Sequence, residues 1–199
     1  MTDTADSQAY DALVAKVDAF HAQVSARRAE DLACRRGCDA CCRVRLSVSP
    51  VEASVIATAL AGLDEASRGR LRDRLQERLR EQRAGASEPP PRCIMLEDDG
   101  SCAVYRSRPL VCRTQGLALR YPPRTFPEEA VMARGGDGSD IVWCPLNFKT
   151  NRPAGEDVLE AGRLDEMLVL VNLEHVGGDR QAAIERIALE SLVGQLVAG

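Results

Sequence analysis

Histidine is almost missing from this sequence: His21 and His175 are the only two in 199 residues. Both fall in helical patterns, which leaves no basis for a catalytic zinc held mainly by imidazoles. Long apolar runs are missing as well. No stretch approaches the roughly 18 uninterrupted apolar residues of a membrane-crossing helix. The opening "MTDTADSQAYDALV" is acidic and lacks the cationic start and apolar core of a secretory signal. Nor is there a basic excess. Lys and Arg number 26 against 30 Asp and Glu, for a net charge of -4, the wrong balance for a nucleic-acid surface. Walker, GxGxxG and GxSxG motifs are absent, and no fixed-period repeat occurs. These absences leave a cytoplasmic protein of one domain, since 21.6 kDa is short for a second full core.

Cysteine is what the chain does have. Four of its 8 cysteines lie in "CRRGCDACC", residues 34–42. In a reducing compartment such clustering points to metal binding or catalysis rather than disulfides. An even count permits a disulfide framework, but the adjacent Cys41 and Cys42 would need strained partners, and the cysteine density is below that of disulfide scaffolds. The spacing Cys34-x3-Cys38-x2-Cys41-Cys42 lets several sulfurs turn inward on one centre. Four thiolates suffice for a tetrahedral zinc or one four-iron (4Fe-4S) cluster. Adjacent cysteines do not easily point the same way, so one of Cys41 and Cys42 is expected to face a second group: Cys93, Cys102, Cys112 and Cys144. Cys34-x3-Cys38-x2-Cys41 is also the spacing with which radical S-adenosylmethionine enzymes hold a four-iron cluster. The repeated strand–helix pattern of their barrel is missing, so the spacing supports iron–sulfur ligation and not that enzyme class.

Arginines surround the cysteines: Arg35, Arg36, Arg43, Arg45, Arg92, Arg106, Arg108 and Arg113 each lie within a few residues of one. A metal or cluster with four thiolates carries net negative charge, and nearby cations offset it and lower thiol pKa values. In an enzyme, Arg108 and Arg113 would be the candidate anion binders.

The remaining chain predicts mostly helices. Tyr10, Leu13, Val17, Phe20 and Val24 form one stripe on a helix over residues 7–29, with His21 bordering it as a packing residue. Ser49, Pro50 and Glu52 signal a helix start. Val55, Ile56, Ala59 and Leu60 give its buried face, and Gly62 stops it. A third helix carries Leu71, Leu75 and Leu79. Its many arginines have acidic partners and no interleaved aromatics, so a solvated face is expected rather than a nucleic-acid surface. "AGASEPPP" marks a linker or boundary. "CIMLEDDGSCAVY" predicts a hairpin with Cys93 and Cys102 near its open ends, and Cys112 falls in a turn or short helix after Pro109. "TQGLALRY" is a candidate strand, residues 122–140 are loop-like, and "IVWCPLNF" holds the only Trp and Cys144. Two amphipathic helices complete the chain, one with Leu164, Met167, Leu168 and Val171, the other with Ile184, Ile187, Leu192 and Leu196. Asp179 caps the second, and His175 packs at the end of the first. The expected fold is mainly α with a small β hairpin, one small α+β domain organised around a cysteine metal site. Its expected parts are an N-terminal helix over 1–33, a cysteine-cluster region over 34–150 and a helical segment over 151–199.

"CRRGCDACC", then "SPVEASVIA", then "CIMLEDDGSCAVYRSRPLVCR" together resemble the YkgJ-like cysteine-cluster proteins, zinc- or iron-chelating domains of the CxxCxxCC type. The likeness runs from Cys34 to Cys144, with three residues rather than two between the first two cysteines. It implies metal binding by the cysteines, with zinc, iron or an iron–sulfur cluster as the bound group. The flagellin lysine N-methylases carry a similar cysteine pattern, and there an iron–sulfur cluster is implicated in methyl transfer. A small redox or methyl-transfer enzyme, or a structural zinc module for protein interaction, are therefore the alternative expectations. The metal or cluster is the expected partner, with no membrane and no nucleic acid.

Overall fold

The computed structural model describes residues 5–84, 92–122, 133–134 and 140–197. All of the breaker run at 84–91 but its first residue, and most of the loop-like stretch at 122–140, lie outside them. The first apolar stripe folds as helix α1 (Ala5–Arg27), burying Tyr10, Leu13, Val17 and Val24. Its C-terminal end is fixed by a buried carboxylate. Asp157, 0% exposed, accepts from Arg27 Nη2 at 3.0 Å and Arg28 Nε at 2.7 Å. Burial pushes this carboxyl up, but the two guanidiniums together hold it below its ordinary range. His21 is a half-buried helix residue whose Nδ1 lies 3.2 Å from Ser25 Oγ.

Next come strand β1 (Ser47–Val48), α2 (Pro50–Ala61) and α3 (Glu65–Arg83). The helix-start signal works locally and then reaches further. Glu52, only 2% exposed, accepts from the Ser49 N–H at 2.9 Å, the Ser49 hydroxyl at 3.0 Å and the distant Leu110 N–H at 2.9 Å. On α3, Leu71 is buried and Leu75 packs on the same cluster, whereas Leu79 is 42% exposed. Its face is not wholly solvated as expected. Arg74 donates to the Ile94 carbonyl and to Glu97, and Arg78 pairs with Glu190 while donating to the Arg92 carbonyl. Arg70 also reaches Glu97, while pairs such as Arg68–Glu65 and Arg80–Glu77 run along the helix surface.

The second half carries α4 (Leu110–Arg113), β2 (Ala118–Arg120), β3 (Ala133–Arg134), β4 (Ile141–Trp143), β5 (Val158–Glu160), α5 (Ala161–His175), α6 (Arg180–Ala183), β6 (Ile187–Ala188) and α7 (Leu189–Val197). One small sheet has the order β3-β4-β2-β5. In it β2 is antiparallel to β4, with Leu119 opposite Val142, and parallel to β5, with Ala118 opposite Val158. The other pairs β1 with β6, Ser47 opposite Ala188. The α+β class holds and β2 lies within the candidate strand "TQGLALRY", but the expected hairpin is not where the other strands pair. The predicted hairpin reduces to one bridge, Leu96 to Cys102. The last predicted helix is broken in two, because Ile187 and Ala188 leave the helical path to pair with β1; Ile184, expected on its buried face, is 60% exposed. Asp179 caps α6 as expected, accepting from Gln181 and Ala182 N–H groups.

Three apolar clusters fill the interior. One packs α2, α3 and α7 around Ile94, Met95 and Val104. A second gathers β2, β4 and β5 on Val24, Trp143 and Phe148. The third joins α1 to Val51 and Leu110, with α5 residues packed against it. Among the described residues no helix is long and apolar enough to cross a membrane.

Candidate metal centre

All eight cysteines are unpaired; Cys34 is exposed and the other seven are half-buried. Seven of them sit on segments between the elements above, and Cys112 sits on α4. Residues 28–46 contain no helix or strand and are shaped by turns. The Cys38 N–H donates to the Arg35 carbonyl at 3.0 Å, and the Cys42 N–H to the Asp39 carbonyl at 2.9 Å. Gly37 adopts φ +84° in the first turn, where a side chain would be strained. The Asp98–Asp99–Gly100 turn lies on this loop so closely that a Cβ on Gly100 would meet the Gly37 carbonyl oxygen at 3.0 Å.

The cysteines distant in sequence are tied to the first loop by backbone contacts. The Cys93 N–H donates to the Cys42 carbonyl at 2.7 Å. Cys102 follows across the Leu96–Cys102 bridge. Their sulfurs accept from the Met95 and Val104 N–H groups, which favour the thiolates. Cys112 sits on α4, whose first N–H is held by buried Glu52. Cys144 follows β4, and its carbonyl accepts from the Asn147 N–H at 2.9 Å. The Asn147 side chain then reaches the other loop: its Oδ1 accepts from the Ala33 N–H at 2.8 Å, and its Nδ2 donates to the Gly116 carbonyl at 2.7 Å and lies 3.4 Å from Cys34 Sγ.

This arrangement redraws the grouping expected from sequence. The thiols whose charges bear on Cys34 are Cys144, Cys38 and Cys41. Those bearing on Cys42, beyond its neighbour Cys41, are Cys93, Cys112 and Cys102. Cys42 therefore faces Cys93, as expected of one of the adjacent pair, whereas Asn147 ties the Cys144 turn to Cys34, and Cys41 also bears on Cys112. Cys41 and Cys42 also act on each other. The Cys41 thiol donates a hydrogen bond to Cys42, which raises Cys41 and lowers Cys42. Burial pushes Cys112, Cys93 and Cys102 up. It does the same to Cys34, whose residue surface is exposed but whose sulfur lies against Asn147 and Gly116.

The arginines divide into two kinds. The Arg108 charge pulls Cys41, Cys102 and Cys112 down, and its guanidinium stacks 3.7 Å from the Tyr105 ring centroid. Arg78 does the same for Cys93. Arg36, Arg43 and Arg92 pair instead with Asp99, Asp39 and Asp39. Arg113 is no anion binder: only 7% exposed, it spends its donors on Asp18 at 2.6 Å, on the Arg108 carbonyl at 2.8 Å and on the Arg106 carbonyl. Glu52, Asn147 and Gly116 escaped the sequence reading as site residues. "SPVE" identified Glu52 as a local cap and carried no sign of Leu110, and "PLNF" has no motif that singles out Asn147.

Among the described residues no three His, Cys, Asp or Glu side chains stand ready-made for a metal ion. The donor chemistry nevertheless fits one. The thiols are unpaired and come from neighbouring segments, and N–H donors or cations near Cys93, Cys102 and Cys112 oppose the upward push of burial. Gly116 tests this packing. It holds φ +92°, and a Cβ there would lie 2.5 Å from Cys34 Sγ. Gly116→Ala is expected to displace the Cys34 side chain and to cost about 1–3 kcal/mol through backbone strain. Urea unfolding and the rate of Cys34 alkylation are the readouts; unchanged values for both contradict the contact.

An α+β scaffold whose unpaired cysteines gather from separate loops defines a cysteine-cluster protein. Residues 33–129 match the model of the CxxCxxCC family, described as "Putative zinc- or iron-chelating domain". Cys144 lies beyond the matched segment. No curated protein and no solved structure matches the chain.

Proposed function

We propose that the protein is a metal-binding protein whose cysteine thiolates hold zinc or iron, the iron as a 4Fe-4S cluster. The observation that carries the reading is the gathering of unpaired cysteines from distant segments around the Cys41–Cys42 pair. Cys34, Cys38, Cys41, Cys42, Cys93, Cys102, Cys112 and Cys144 are the ligand set. Bound as thiolates, they supply an all-sulfur environment suited to zinc or to an iron–sulfur cluster. The four-iron cluster is favoured over zinc by the Cys34-x3-Cys38-x2-Cys41 spacing. Protein purified without oxygen is then brown, contains acid-labile sulfide and bleaches in air. Colourless protein with stoichiometric zinc and no sulfide reverses the choice of metal. Folded, metal-free protein with eight freely titratable thiols overturns the function itself.

A redox or modifying enzyme is the second reading. A cleft walled by Asp31, Leu32, Ala33, Leu146 and Lys149 favours it, because its wall ends at the residue before Cys34 in the chain. Reversible bleaching by dithionite supports that reading, and a centre that cannot be reduced and reoxidised contradicts its redox form.

A further inference from the structure

We infer that the outer face of α5 is the contact surface of a homodimer, in which α5 of one copy lies antiparallel on α5 of a second. Arg163, Met167, Leu170 and Glu174 form that surface. The inference is independent of the metal.

The packing of α5 shows which of its faces is spare. Leu164, Leu168 and Val171 pack inward on the third apolar cluster, with α1, and Asn172 is buried. Arg163, Met167, Leu170 and Glu174 follow one another at steps of four, three and four. Those steps keep them on one stripe of the helix, turned away from the packed residues. All four are exposed. Leu170, at 66%, is the most exposed large apolar side chain among the described residues, and Met167 is at 39%. Neither Arg163 nor Glu174 has an ion pair among the described residues.

Single exposed apolar residues are ordinary on a protein surface; the order of these four is what points to a second copy. A two-fold interface brings together the same patch from both chains, so residue i meets j and j meets i. Arg163 and Glu174 lie equally far from the midpoint between Leu168 and Val169, and so do Met167 and Leu170. An antiparallel pair centred there sets Met167 of each copy on Leu170 of the other. It also sets Arg163 of each copy beside Glu174 of the other, so the apolar centre is covered and the charges match at both ends. A parallel pair would oppose Arg163 to Arg163 and Glu174 to Glu174. The size of the stripe sets the strength of the contact. With 15 residues, α5 is about 22 Å long, too short to bury the roughly 1,200–2,000 Å² of a stable interface. The dimer is accordingly weak, with a Kd on the order of 10–100 µM.

Sedimentation of the full chain, under reductant so that disulfides cannot link copies, measures self-association from about 1 to about 500 µM. Wild type is expected to pass from monomer to dimer across that range, and Leu170→Glu to stay monomeric. Arg163→Glu and Glu174→Arg each weaken the dimer by about tenfold, because two attractive end pairs become repulsive. Mixing those two variants restores association, because opposite charges again meet at both ends. An effect confined to one chain could not be rescued by mixing. Wild type that is monomeric at the highest concentration overturns the inference, whether the stripe stays bare or residues 123–132 cover it. A dimer that survives Leu170→Glu, or a mixture that associates no better than its parents, puts the contact elsewhere and also overturns it. If Leu170→Glu lacks the circular dichroism of the native fold, the two charge variants and their mixture decide.

Discussion

Removing the metal is expected to lower the midpoint of thermal unfolding by roughly 8–16 °C. A ligand present at about 1,000 times its Kd stabilises the folded state by ~4 kcal/mol, and for 150–250 residues each kcal/mol moves the midpoint by about 2–4 °C. The effect is large here because the cysteine loops have little regular structure of their own. Residues 28–46 have no helix or strand, and the Cys93–Cys102 segment is held by one bridge and a few turns. Without metal, the half-buried thiols lose their common partner and these loops lose their order. Thermal unfolding before and after anaerobic chelation measures the change, with hydrogen exchange at residues 34–42 as a local readout. Equal midpoints and equal exchange contradict a metal role in folding.

Glu52→Leu is expected to cost about 3–5 kcal/mol in urea unfolding, with Glu52→Gln intermediate. The buried carboxylate satisfies three donors at once: the Ser49 N–H, the Ser49 hydroxyl and the Leu110 N–H. Each buried donor left unsatisfied costs about 1–3 kcal/mol, and partial rearrangement at Ser49 keeps the total below the sum. Gln retains an acceptor oxygen but turns an amide toward a donor. Because the Leu110 N–H opens the helix of Cys112, the Leu variant also makes Cys112 alkylate faster. A cost below about 1 kcal/mol contradicts this anchoring role, since it falls within the range of an unexceptional substitution.

What the sequence made legible was local. The α1 stripe and the "SPVE" start of α2 are encoded within a turn or two, and both helices formed where expected. The pairing of β1 with β6 was not legible, because two-residue strands have no periodicity and their partners lie far apart in the chain. The same limit applies to the cysteines. The 34–42 motif was visible as a cluster, yet spacing cannot show which returning loop meets which thiol. The Cys93–Cys42 backbone bond and the Asn147 bridge from the Cys144 turn to Cys34 are long-range contacts that leave no trace in the spacing. The arginines show a related limit. Arg108 and Arg113 looked alike beside Cys112, but burial turned Arg113 into a strut and left Arg108 as the cation acting on the thiols.

X-ray absorption at the edge of the bound metal, on anaerobic full-length protein, tests the thiolate assignment most directly. Ligation by these cysteines predicts a first shell of sulfur alone, four neighbours per metal at about 2.3 Å for zinc, or a sulfur shell with iron neighbours for a cluster. A first shell dominated by nitrogen or oxygen, with the cysteines still open to alkylation, contradicts it.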